Sequence, residues 1–143
     1  MISGIQSNLI EDVKINHCYF ATAESLAKST SDSSDGSDAG WKTIQVPELE
    51  DAYPDLSRFG PMPTNGFFLR HVRNIEMAHV EIASSSPDPR PAFWLEDVRR
   101  ADFFAITASR KPNFVLRNVS ELRMLWSRAA GDTTIGHTLD EIL

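Results

Sequence analysis

The chain carries a single cysteine, Cys18, in 143 residues, so an intrachain disulfide is excluded. This does not fix a compartment, because secreted proteins need not contain disulfides. No apolar run approaches the roughly 20 residues that a membrane-spanning helix needs. Met1 is not followed by a basic segment and an apolar stretch, so no secretory signal is visible. Metal-ligand spacings are missing as well. His17, His71, His79 and His137 are scattered, with no His-x3-His or Cys-x2-Cys pattern. Neither a glycine-rich phosphate loop nor a Gly-x-Ser-x-Gly elbow is present. The residues therefore call for no metal and no cofactor.

Basic charge is thin and local. Residues 1–65 hold 4 basic and 10 acidic groups, residues 66–128 hold 10 and 7, and residues 129–143 hold 0 and 3, giving the net −6. A dedicated nucleic-acid binder shows a strong basic stripe, which this chain lacks. A net +3 in the middle leaves room for an arginine-lined surface that meets an anion.

What the chain has is a repeat. Phe67-Phe68-Leu69-Arg70-His71-Val72 aligns with Phe93-Trp94-Leu95-Glu96-Asp97-Val98 and with Phe114-Val115-Leu116-Arg117-Asn118-Val119. The match extends downstream as apolar residues at relative positions 0, 3, 6, 8, 11 and 13. One repeat is Leu69, Val72, Ile75, Met77, Val80, Ile82. The next is Leu95, Val98, Ala101, Phe103, Ile106, Ala108. The third is Leu116, Val119, Leu122, Met124, Ser127, Ala129. The N-terminal segment fits as Ser7, Ile10, Val13, Ile15, Cys18, Phe20. In all, 22 of 24 positions are apolar, where a 41% composition would fill about 10.

The steps 3, 3, 2, 3, 2 suit neither a helix nor a flat strand. Steps of two are strand segments with alternate residues inward. Steps of three are corners, where the chain bends and two residues face out. This predicts an all-β fold, a right-handed parallel β-helix of about four coils, as one domain over residues 1–143. Residues 21–65 read as a long insertion between coils. Within it, 21–29 suit a short helix and 29–40 are low-complexity. The stretch 41–65 is turn-rich, with Pro47, Pro54, Pro61 and Pro63, and with Trp41, Tyr53 and Phe59 as anchors. Residues 130–143 read as a tail with a short helix at 139–143. The competing reading is an α/β domain with a helix over 121–130; it leaves the threefold match unexplained.

The template assigns side chains. Phe67, Phe93 and Phe114 are expected to stack as an internal ladder. Phe68, Trp94 and Val115 face the other way and are expected under the insertion rather than free for a sugar. Cys18 is an inward core position. His71 and His79 fall on outward positions, read as surface.

The residues also resemble a known family. Gly66-Phe67-Phe68-Leu69-Arg70-His71-Val72, Asp88-Pro89-Arg90-Pro91-Ala92-Phe93 and Asp97-Val98, with Ile10-Glu11-Asp12-Val13 and Tyr53-Pro54 upstream, are similar to the C-terminal part of glycoside hydrolase family 28, the polygalacturonase and rhamnogalacturonase-like enzymes with a pectin-lyase-type β-helix. The resemblance covers roughly residues 2–128. It implies inverting hydrolysis of pectin-type polysaccharide by the parent and a secreted or periplasmic address. The family's Asn-x-Asp, Asp-Asp, Gly-His-Gly and Arg-x-Lys signatures are missing here. The chain is thus expected to be the C-terminal portion of such a hydrolase, inactive alone. The alternative is a non-catalytic β-helical module for carbohydrate binding or assembly.

Family 28 chemistry needs two carboxyls about 6.5–9.5 Å apart. Glu11-Asp12 and Glu96-Asp97 are adjacent pairs at bends, read as solvated corners, so no catalytic residue is assigned. The arginines Arg70, Arg73, Arg90, Arg99 and Arg100 suit uronate carboxylates, which a guanidinium grips bidentately. Tyr53, Arg70, His71 and Arg90 are the substrate-binding candidates, with an acidic polysaccharide as partner. An uncapped first coil exposes backbone edges and apolar cross-section, which predicts self-association through residues 5–20.

Overall fold

A computed structural model describes residues 1–22, 40–50, 56–85, 88–108 and 112–143. The described chain is all-β apart from two single-turn 3-10 helices, at Gly40–Thr43 and Leu56–Phe59. Its strands are β1 (Ile2–Ser3), β2 (Ile10–Thr22), β3 (Phe67–Ser84), β4 (Phe93–Phe104), β5 (Thr107–Ala108), β6 (Phe114–Leu125) and β7 (Thr133–Ile142). They form one mixed sheet. β1 and β2 pair with β3, β3 with β4 and β5, and β4 with β6, all parallel; β7 is antiparallel to β6.

The apolar template is the register of this sheet. Ile10, Val72, Val98 and Val119 lie side by side, as do Ile15, Met77, Phe103 and Met124. Leu69, Ile75, Leu95, Ala101, Leu116, Leu122 and Met124 are wholly buried. Each large side chain buried in this way contributes about 1.5–3 kcal/mol. Phe67, Phe93 and Phe114 stack, with ring centroids 5.6 and 4.5 Å apart.

The strands are bent, and the backbone shows where. Left-handed φ falls at His71, Asn74 and His79 in β3, at Asp97, Arg100 and Ala105 along the next repeat, and at Asn118, Glu121 and Trp126 along the third. In β2, Asp12 is level with Asn74 and His17 with His79, the second and third of these corner positions. Each is the second outward residue of a three-residue step. The corner is therefore a left-handed residue that turns the chain while keeping the next apolar side chain inward. As a result both ends of β3, from Leu69 to Ile82, reach one apolar core. Phe20, level with Ile82 at the far end of β3, meets Phe67 at its start, edge to face at 4.9 Å. The sheet curls back on itself. Gly66 permits this closure, because a Cβ there would run into the Ala92 carbonyl and lie 2.6 Å from Ile82 Cδ1.

A second, smaller core lies on the outer face. Phe68, Trp94 and Val115 are covered by Trp41, with Ile44, Val46 and Met62 packed alongside. The insertion thus shields the outward aromatic row, and Trp41 and Phe59 are buried anchors as expected.

Four expectations need correction or fall away. The C-terminal segment is not a tail with a helix at 139–143 but the strand β7. Its β-branched Thr133, Thr134, Ile135 and Thr138 favour extended chain, and the outer edge of β6 needs hydrogen-bond partners. Ser7 does not fill the first template position of its repeat. Residues 5–8 form a tight turn closed by Ile5 and Asn8, and Ile2 sits beside Leu69 instead. β2 runs on to Thr22, so the insertion begins later than residue 21. The helix expected over 21–29 lies, beyond Thr22, outside the described residues, as does Tyr53.

Candidate functional site

A polar cluster forms where the insertion crosses the first corner. His71, Asp97 and Asn118 occupy the same template position on β3, β4 and β6, two residues after the leucine. Their side chains run along the corner. His71 Nδ1 donates to Asp97 Oδ2 at 2.6 Å, and Asn118 Nδ2 donates to Asp97 Oδ1 at 3.0 Å. From the insertion, Glu48 Oε1 accepts from His71 Nε2 at 2.8 Å. With both ring nitrogens donating to carboxylates, the imidazole is held as the imidazolium. Burial pulls His71 toward the neutral form, but the bonds to Glu48 and Asp97 outweigh it and leave its pKa above the ordinary 6.5. The bond from His71 likewise holds the Glu48 carboxyl below its usual 4.5.

Arg70, next in the chain, is 3% exposed. Its guanidinium donates to the carbonyls of Val46 at 2.7 Å and Pro47 at 3.0 Å and to Ser3 Oγ at 3.2 Å, and it lies over the Phe68 ring. Arg70 and His71 together therefore pin residues 46–48 onto β3. The expectation that His71 is a surface residue is overturned: the insertion covers it, leaving it 7% exposed.

Arg90 is committed elsewhere. It grips the buried Asp88 carboxylate through Nε at 2.9 Å and a second guanidinium nitrogen at 2.6 Å, and it donates to the Met62 carbonyl at 3.2 Å. Beside it, a cavity of about 10 Å³ is bounded by Asn65, Ile82, Ser84, Asp88, Arg90 and Asn113, among others. The Oδ1 atoms of Asn65 and Asn113 are buried there without a partner. That space suits one water rather than a substrate, since ligand pockets run to about 300–1,000 Å³.

Chemically, this arrangement is a latch. Glu48 and Asp97 flank a common point, but the imidazolium fills it, so no water or glycosidic oxygen can enter between them. Among the binding candidates, Arg70 and His71 come together, Arg90 serves its own ion pair, and Tyr53 lies outside the described residues. Glu11 is half-engaged at the surface with Arg73 at 2.5 Å, and Asp12 accepts from Asn74 at 2.5 Å. Glu96 accepts from Trp94 Nε1 at 3.2 Å. No group of three or more metal-ligating side chains occurs among the described residues.

The sequence reading missed Glu48, Asn118 and a further feature on the third corner. There His17 and His79 stack with centroids 4.7 Å apart, His79 meets Phe104 at 5.6 Å, and Phe104 meets Trp126 at 5.3 Å. This ridge of rings crosses β2, β3, β4 and the end of β6 at the spacing of the rungs. His17 and His79 are exposed, and Trp126 is 75% exposed. The Trp126 N–H donates to Asp132 Oδ1 at 2.7 Å, which anchors its backbone. The adjoining flat face carries Lys14, Glu76, Asp102 and Arg123 in register, with Lys14–Glu76 at 3.0 Å and Arg123–Asp102 at 2.9 Å. Asn118 was present in the repeat alignment as a template column, and so were His17, His79 and Trp126, whose column holds Ala105 after β4, with Phe104 one position before it; Glu48 gave no such signal. No family model, curated protein or solved structure matches the chain.

Proposed function

We propose that the chain is a right-handed parallel β-helical module, without chemistry of its own, that binds a linear acidic polysaccharide along its aromatic ridge. The observation that carries this reading is the row His17, His79, Phe104 and Trp126, in which one ring per repeat follows the next, exposed at His17, His79 and Trp126 and half-buried at Phe104. Polarised C–H bonds of a sugar face are attracted to the negative face of an aromatic ring. A row of such rings suits an extended chain of sugars better than a single ring. The β-helical part of the reading is supported by the parallel register, the recurring left-handed corners and the return of Phe20 onto Phe67.

Native affinity electrophoresis through polygalacturonate tests it. Migration is retarded for the wild type, and the Trp126→Ala variant loses most of that retardation. Equal retardation of both proteins, or none of either, overturns the proposal. A neutral glucan gel separates charge attraction from ring stacking.

A second reading is that the chain is the C-terminal portion of a family 28-like hydrolase. The half-exposed inward residues of β2 favour it, since a preceding coil would cover them. Under either reading the chain alone does not hydrolyse pectic substrates. Release of reducing ends by the purified chain, lost in Asp97→Asn, contradicts both.

A further inference from the structure

The two ends of the sheet differ in chemistry. At one end β7 lies against β6, and its inward positions beside Leu116, Val119, Leu122 and Met124 are Glu141, Thr138, Ile135 and Thr133. Three of the four are polar, which is what a closing strand requires. At the other end β2 pairs with β3 and, among the described residues, with nothing on its outer edge. Its inward residues Ile10, Val13, Ile15 and Cys18 are only half-buried, while their register partners Val72, Ile75, Met77 and Val80 are at most 1% exposed. This edge is apolar where the other is polar.

We infer that the outer edge of β2 takes a second copy of this chain, β2 against β2 antiparallel, with the two-fold axis at Lys14. The spacing of β2 carries the inference. Its first four inward residues, 10, 13, 15 and 18, are separated by steps of 3, 2 and 3, which read the same in both directions; the fifth, Phe20, lies beyond the paired stretch and packs on Phe67 of its own chain. An antiparallel copy centred on Lys14 therefore sets Ile10 opposite Cys18 and Val13 opposite Ile15. Each three-residue bend falls opposite a three-residue bend, so the two strands curve together. Shifting the register by two residues sets Val13 opposite the outward His17 and breaks the match.

The outward residues fit the same register. Glu11, which already pairs with Arg73, falls opposite His17, and Asp12, which accepts from Asn74, falls opposite Asn16, so each acceptor faces a side chain with a hydrogen-bonding nitrogen across the seam. Lys14 meets its own copy, but each ammonium is drawn 3.0 Å from Glu76 on β3, off the axis. The chain already supports a bent antiparallel pair. β6 and β7 match three-residue steps from Leu116 to Leu122 against Glu141 to Ile135. The dimer joins two cores end to end and leaves the closed β7 ends outward, so it cannot grow into a fibre.

The native cysteine provides the test. In this register an Ile10→Cys variant places its new thiol opposite the partner's Cys18, where facing Cβ atoms about 4.5–5.5 Å apart bring a disulfide within reach. Light scattering gives a dimer for the wild-type chain. Mild oxidation of Ile10→Cys gives a covalent dimer whose peptide map shows residue 10 joined to residue 18. Val13→Cys, which faces Ile15, does not cross-link. Ile15→Arg raises the dimer dissociation constant by about tenfold or more. A monomer at all concentrations overturns the inference. So does a dimer in which Val13→Cys cross-links as readily, or in which like positions are joined. Polysaccharide retardation through Trp126 is a separate readout and can fail with the dimer intact.

Discussion

Asparagine, aspartate and histidine tolerate the left-handed region better than other residues with a side chain. Seven of the corner positions use them: Asp12, His17, His71, Asn74, His79, Asp97 and Asn118. Ala105, Arg100, Glu121 and Trp126 adopt the same φ without that advantage. Ala105→Gly is expected to stabilise the fold by about 1 kcal/mol, the strain of one left-handed Cβ, as read from urea denaturation midpoints. His71 makes a second prediction. Its pKa is raised on folding, so its contribution is complete below the unfolded value of 6.5 and is lost as pH rises through the folded value. The Glu48 pKa is lowered, so its contribution is present above 4.5 and is lost as pH falls through the folded value. Between pH 4.5 and 6.5 the latch is fully formed. Stability measured across pH therefore peaks in that window, and the His71→Gln variant flattens the alkaline side of the peak. The inward positions were legible in the sequence because apolar spacing is a direct image of which way side chains point. The latch was not, because Glu48 comes from a segment whose place over β3 leaves no periodic trace.

At the scale of elements, the strands are carried by register and the insertion by a few strong contacts. Gly66 is where one strand must pass the next closely. Gly66→Ala is expected to cost about 1–3 kcal/mol, measured as a lowered Tm, because the obstructing Ala92 carbonyl is backbone and cannot swing aside. The charge row Lys14, Glu76, Asp102 and Arg123 is different. Its members are partly exposed, so Asp102→Asn is expected to change stability by no more than about 1 kcal/mol. β7 closes the sheet with polar inward residues. The double variant Thr138→Val with Glu141→Leu is expected to turn that end adhesive, read as higher oligomers in light scattering. The repeat alignment could not foresee β7, since an antiparallel strand runs its template backwards and shares no column with the others. The parallel strands, by contrast, were readable residue for residue from Ile10 to Phe20 and from Leu69 onward.

Across the whole molecule, three faces divide the work. The insertion covers Arg70 and His71 at the first corner, the β2 edge is apolar and has no partner strand on its outer side among the described residues, and the third corner presents rings to solvent. Arginines that looked suited to uronates are spent inside the fold at Arg70 and Arg90, so the proposed binding surface is the aromatic ridge, a place the family resemblance does not mark. The three tryptophans make that surface measurable. Trp41 and Trp94 are 6% and 1% exposed, and Trp126 is 75% exposed. Fluorescence quenching by acrylamide therefore reports almost entirely on Trp126. Titration with oligogalacturonides under quencher is the most direct test of the account. It predicts a saturable loss of quenching with a blue-shifted emission, absent in the Trp126→Phe variant. Quenching that stays unchanged through the titration contradicts it.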